Sequence, residues 1–225
     1  MTTTTFRQAG FIFLPLLLFF MSCTVEESER EITDMRIPVV FNAPAVTLQT
    51  RTSVDGDRWI GGDRVGIYML STGGSLPADI VGDAGNRQYT VSSVNAVNAA
   101  SLVPVNSNTD MIMYPPTGNV DFVACYPYQA AGTDGNGYYP VNVSNQNNPA
   151  AIDLMYARVT NVGKSSATVS LPFEHVMSRL VLNIRKGTGL VDSDFADITA
   201  TMSGMPVKAG FSLSDRQFVP EGNLA

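Results

Sequence analysis

Few side chains in this sequence could do chemistry, and their spacing decides against most of it. His175 is the single imidazole in 225 residues. It has no second His with which to share a metal, and as a catalytic base it would act alone. Its setting in PFEHVMSRL, at the start of an apolar stretch, suits a hydrogen-bonded structural imidazole. Gly163-Lys164-Ser165 ends like a phosphate loop, but the glycine that should open such a loop falls at Arg158, so no nucleotide site is expected. Asp55, Asp57 and Asp63 gather carboxylates as a Ca²⁺ loop does. Trp59 stands at the fifth position, however, and no Glu closes the loop, so a turn is the better reading. Asp134 and Asn136 read the same way. A glycan hydrolase would need two carboxylates about 5 to 10 Å apart, and spacing alone does not bring Glu174, Asp153 or Asp121 together. The reading therefore assigns no catalytic residue, no metal and no cofactor.

Of the two thiols, Cys23 has the more telling surroundings. The apolar run from Phe11 to Met21 is about half of the roughly 20 residues that a spanning helix needs. With Arg7 before it and the small Ser22 after it, the run reads as an export signal cut ahead of Cys23. Phe20-Met21-Ser22-Cys23 resembles a bacterial lipoprotein box, with Phe20 where Leu is usual and Ser22 where Gly or Ala is common. Acyl chains on Cys23 would hold the exported chain at the outer membrane, each buried CH₂ contributing about 0.8 kcal/mol. Four of the eight residues from Thr24 to Glu31 are Glu, so this stretch is expected to be a solvated tether. An acidic patch after a lipidated cysteine also resembles the outward-sorting tag of some surface lipoproteins.

Composition narrows the function further. Loss of residues 1–22 leaves 203 residues and moves the formal charge from −6 to −7, because Arg7 goes with them. The 13 remaining Lys and Arg are scattered, with no basic stripe to neutralise phosphates, so nucleic acid is not expected as a partner. With Cys23 lipidated, Cys125 stands alone and no intramolecular disulfide can form. Such an exported chain is more suited to binding or building than to catalysis.

The elements that must position these residues are strands. From Met35 onward, apolar residues alternate or come in short runs broken by Gly, Asn, Asp and Pro about every ten residues, the rhythm of an all-β sandwich. Strands are expected at 36–43, 64–70, 110–115, 121–128, 137–143, 167–173 and 179–185, and a surface loop at the Asn-, Ser- and Ala-rich stretch 93–108. The division is residues 1–22 as signal, 23–35 as tether and 36–188 as an N-terminal β-sandwich. Residues 189–225 are expected to be part of a second sandwich. ADITATMSGM and KAGFSLSD look like two of its strands, yet a stretch of about 40 residues is near the lower limit for a core of its own. These strands would begin a second domain, or pack on the first domain or on a partner.

Three blocks together carry a family resemblance: DRWIGGDRVGIYM (57–69), MIMYPPTGNVDFVACYPY (111–128), and DLMYARV with VSLPFEHVMSRLVLNI (153–159, 169–184). In order and spacing they resemble the fimbrillins and fimbrillin-like lipoproteins of Bacteroidales from about residue 36 to 186. Cys125 departs from the aromatic expected within that block. The resemblance implies stacked transthyretin-like Greek-key β-sandwiches, here with the N-terminal domain complete and the second incomplete. It implies a cell-surface fimbrial or adhesive subunit, and no enzyme. It also implies assembly by strand exchange with other fimbrial subunits, after an Arg-specific surface protease removes the first strand. That strand would be Arg36 to Ala43, with Arg36, Pro38, Val40 and Phe41 among its residues. Arg51, in the polar exit LQTRTSVDGD, is the candidate cleavage site, since cutting at Arg30 or Arg36 would leave the strand largely in place. A subunit ending at Ala225 would be expected to accept a strand yet have none to give. The alternative is a non-polymerising surface lipoprotein that binds host protein or glycan, for which the tyrosines of YPP, CYPY and YYP would offer stacking faces.

Overall fold

The computed structural model describes residues 1–3, 36–45, 58–180 and 182–221. The chain divides into two compact units, Met1–Met35 and Arg36–Ala225. Of the first, only Met1 to Thr3 are described, and they are exposed. Cys23, the acidic stretch after it and Arg51 lie outside the described residues. Among the described residues no helix is long and apolar enough to cross a membrane.

The second unit is all-β. Its strands are β1 (Phe41–Ala43), β2 (Arg64–Ser71), β3 (Arg87–Val94), β4 (Ala100–Pro104), β5 (Val120–Tyr126), β6 (Tyr138–Asn142), β7 (Met155–Val162), β8 (Val169–Ser170), β9 (Glu174–His175), β10 (Lys208–Ser212) and β11 (Phe218–Pro220). Eight of them form a sheet in the order β8-β1-β4-β3-β2-β5-β7-β9, and a smaller sheet runs β11-β10-β6. Within the large sheet every pairing is antiparallel except that of β1 with β8. The sheet curls until β8, at one end, lies against β7, near the other.

Two cores follow from the period-2 alternation of the central strands. Val65, Ile67 and Met69 of β2 point into the curl with Val120, Phe122 and Ala124 of β5 and Met155 and Ala157 of β7. Tyr68 and Leu70, Val123 and Cys125, and Tyr156 point the other way, where the small sheet covers them with Tyr139 and Phe211. Because both faces are buried, β2 and β5 read as unbroken apolar runs. Gly137 opens β6 at φ +85, and a Cβ there would stand 2.8 Å from the carbonyl oxygen of Leu76. The close approach seats the small sheet and requires glycine.

Several expected elements differ. The loop expected at 93–108 contains β4, with Ala100 and Leu102 buried. Its outward Ser101 masked the alternation, and Asn95 Oδ1 makes the preceding turn by accepting from Val97 N and Ala99 N. Residues 110–115 make an isolated bridge, Pro38 to Met113, in place of a strand. Ile112 and Tyr114 are nevertheless buried. Residues 179–185 form no strand where described, and Leu180, Leu182 and Ile184 are 63%, 59% and 54% exposed. The alternation of that stretch is genuine, but a half-apolar strand forms only where a ladder and an apolar face receive it. Within residues 189–225, ADITATMSGM is exposed and irregular. KAGFSLSD supplies β10, which pairs with β6 from Lys208↔Asn142 to Ser212↔Tyr138 and fills the second core with Phe211 and Leu213.

Candidate functional site

The first strand and the groove that holds it form the candidate site. From Pro38 to Ala43 the chain alternates outward and inward: Val40 is 54% exposed, while Val39, Phe41 and Ala43 are 5%, 1% and 0% exposed; Ile37, before the alternation begins, is 43% exposed. Of the four residues named from sequence in this strand, Phe41 enters the core, whereas Arg36, Pro38 and Val40 lie on the outer side. Val39 and Ala43 complete the inward set, and the alternation on either side of Phe41 was the signal for them.

Backbone hydrogen bonds hold the segment on both sides. Val39 N donates to Ile112 O, and Ile37 O accepts from Tyr114 N, both at 2.9 Å. Along β4 the register is Phe41↔Leu102, Asn42↔Ser101 and Ala43↔Ala100. On the opposite side Val169 N donates to Val40 O and Leu171 N to Asn42 O, both at 2.8 Å. Pro38 is tolerated because the bonds to Ile112 and Tyr114 come from its neighbours, so its missing N–H interrupts neither.

Side chains make the interior of the groove. Phe41 meets Tyr89 and Phe122 edge-to-face, with ring centroids 5.2 and 5.1 Å apart. Tyr114 extends the row to Phe122 at 6.2 Å, and the Tyr89 hydroxyl accepts from Ile112 N at 3.0 Å. Trp59 closes the far end: its indole donates to Pro44 O at 3.2 Å and its ring meets Phe173 and Tyr126. Withdrawing the strand would strip partners from the backbone of β4, Ile112, Tyr114, Val169 and Leu171, and would wet an aromatic floor. Such an open groove would template another strand.

The residues weighed for catalysis each have a charged or hydrogen-bonded partner. Asp121 is fully buried and accepts from Arg158 Nη2 at 3.0 Å, Gly73 N at 3.1 Å and Asn161 N at 2.9 Å. Asp153 faces His175 Nδ1 at 2.9 Å, and Glu174 pairs with Arg216 at 2.8 Å. Asp63 and Asp134 cap their own turns, accepting from Ile60 N at 2.8 Å and from Asn136 N and Tyr138 N at 2.9 Å. Lys164 donates to Pro116 O. Burial pushes the Cys125 thiol up to about 12. Burial, then Asp63 and Asp153, pushes the Tyr126 phenol up to about 12. Among the described residues no three or more His, Cys, Asp or Glu converge as metal ligands.

Of the tyrosines offered as a sugar face, Tyr114 and Tyr139 are buried, the Tyr139 hydroxyl donating to Pro127 O at 2.6 Å, while Tyr126, Tyr128 and Tyr138 are half-buried. An open cleft of about 520 Å³ beside β6 is lined by Gln129, Asp134, Tyr138, Asn142, Lys208 and Glu221 among others.

Comparison with known proteins agrees with this architecture. Residues 50–224 match the family model described as "Fimbrillin-like". The chain is 34% identical over 211 residues to a Bacteroides uniformis protein described as "Putative fimbrium subunit Fim1C", covering 92% of this chain and 65% of that relative. A crystal structure from Bacteroides uniformis, described as a "putative cell adhesion protein", is similar with a TM-score of 0.65 and 29% identity, over 86% of this chain and 69% of the other. A second such structure, from Bacteroides ovatus, shares the fold with a TM-score of 0.53 and 21% identity, over 82% of this chain and 69% of the other. By these matches the chain belongs to the fimbrillin-like family.

Proposed function

We propose that this protein is a cell-surface fimbrial or adhesive subunit, exported as a lipoprotein through Cys23 and assembled by strand exchange at the groove of β1. The observation that carries this reading is the place of the segment 37–43. Its residues 41–43 are β1, the first strand of the sheet, held between β4 and β8; residues 37–39 bond Tyr114 and Ile112, and Val39, Phe41 and Ala43 enter a core of aromatic rings. A cut after Arg51 would leave this strand attached by non-covalent contacts alone. A strand from another subunit would then restore the ladder bonds and the buried side chains in one step.

In this reading lipid serves delivery, Arg51 serves release, and the groove serves assembly. The partners are other fimbrial subunits, the outer membrane and an Arg-specific surface protease. The chain covers 65% of the length of the curated relative.

The test is the mass of the N-terminal peptide of protein taken from outer membrane and from sheared surface material. Acyl-Cys23 in the membrane and a Thr52 N-terminus in the sheared fraction are expected. Acyl-Cys23 in both fractions would mean that the first strand stays in its sheet, and strand exchange would have to be abandoned.

A further inference from the structure

Resting on the strand-exchange reading above, we infer that the groove beneath β1 selects its occupant by a size code. The partner it fits is an extended strand running in the direction of β1, with an aliphatic side chain at the place of Val39, an aromatic at Phe41 and a small residue at Ala43. Each part of the code comes from a different wall of the groove.

The aromatic position is defined by Tyr89 and Phe122, whose rings both meet Phe41 edge-on. A smaller side chain there would leave a void that two buried rings cannot collapse to fill. The small position is defined from across the ladder. Ala43 pairs with Ala100, the two are 0% and 1% exposed, and Trp59, 4% exposed, is fixed close by through Pro44 O. A large side chain there would have to displace closely packed neighbours. Between these two positions Asn42 is half-buried between Ser101 and Ser170 on the neighbouring strands, and its Oδ1 is buried without a hydrogen-bond partner, so the code makes no polar demand there.

Direction is set by the unlike neighbours. The carbonyls of residues 40 and 42 accept from Val169 and Leu171 in the parallel sense, while residues 37 and 39 bond Tyr114 and Ile112 in the antiparallel sense. A strand inserted the other way would exchange parallel for antiparallel geometry on both sides and place its carbonyls out of register with these donors. A slip of one residue would turn the aromatic out to solvent.

The experiment uses the full chain with a specific protease site in place of residues 51–54, nicked so that the first strand stays seated until it is displaced. The probes are fluorescent peptides: residues 36–45 of this chain, the same peptide with Ala43→Phe, the same with Phe41→Ala, one with Val40 and Phe41 exchanged, and the reversed sequence. Uptake is read by co-migration with the nicked chain and release of its N-terminal fragment. The parent peptide is expected to enter, and each altered peptide to enter at least tenfold less well. Equal uptake of all five would overturn the size code while leaving strand exchange standing. Uptake of none, with the N-terminal fragment still held, would overturn both. If nicking unfolds the chain, the code is read in the intact protein: Ala43→Phe should lower Tm by at least about 4 °C, whereas Val40→Phe at the exposed neighbour should leave it within about 2 °C. Equal shifts for the two would overturn the code.

Discussion

Cys125 and the tyrosines around the two cores are held neutral by burial. Cys125, Tyr89 and Tyr126 are pushed up to about 12, and Tyr68, Tyr114, Tyr139 and Tyr156 are raised as well. In the unfolded chain these groups ionise from about pH 9 to 10, so their contribution to stability is complete below that range. It shrinks as pH rises and, for Cys125, Tyr89 and Tyr126, is gone once the folded groups also ionise near pH 12. Tm should therefore fall steadily from pH 9 to 11, and the buried tyrosines should add their absorbance near 295 nm together with the loss of native fluorescence. A smooth titration centred near pH 10 in protein that is still folded would contradict this. Asp121 offers a second test. With Arg158, Gly73 N and Asn161 N all depending on it, Asp121→Ala should cost about 3 to 5 kcal/mol, measured by urea denaturation. Nothing in the residues around Asp121 announced this role, because its partners lie up to 48 positions away. His175, by contrast, was legible as hydrogen-bonded from its neighbours, and its partner Asp153 was not.

At the scale of elements, β10 decides whether the tail belongs to the fold. Phe211 is 1% exposed, meets Tyr156 at 5.9 Å and lies 4.9 Å from Phe218. Phe211→Ala should lower stability by about 3 to 5 kcal/mol, as for other buried aromatics, read from the shift of the denaturation midpoint at unchanged slope. A loss below 1 kcal/mol would mean that β10 and β11 sit only loosely on the large sheet. Strands β2 and β5 were legible because their apolar runs end at turn residues. β4 was not, because a short strand with one clear inward Leu looks like loop when serine and asparagine surround it. Residues 179–185 failed in the opposite sense, having the pattern of a strand but no ladder to join among the described residues.

For the whole molecule, delivery and assembly are separable. Cys23→Ser should abolish metabolic labelling with a fatty acid and shift the exported protein from the detergent phase to the aqueous phase, while the groove of β1 stays intact. Labelling that persists in the variant would remove Cys23 as the anchor. The second unit should keep the same Tm with or without the acyl chains, since both of its cores are built from residues after Arg36.

By itself the sequence determined the all-β class, the family and the poverty of catalytic groups. Each of these is carried by local pattern, composition or the order of short blocks. Only the tertiary structure decided that β1 lies between β4 and β8, that Ala43 faces Ala100, and that β10 closes a second core over Cys125. Hydrophobic period tells a strand which of its faces must be hidden. Which strands hide it depends on ladder bonds between residues far apart in the chain, and no local window contains both partners.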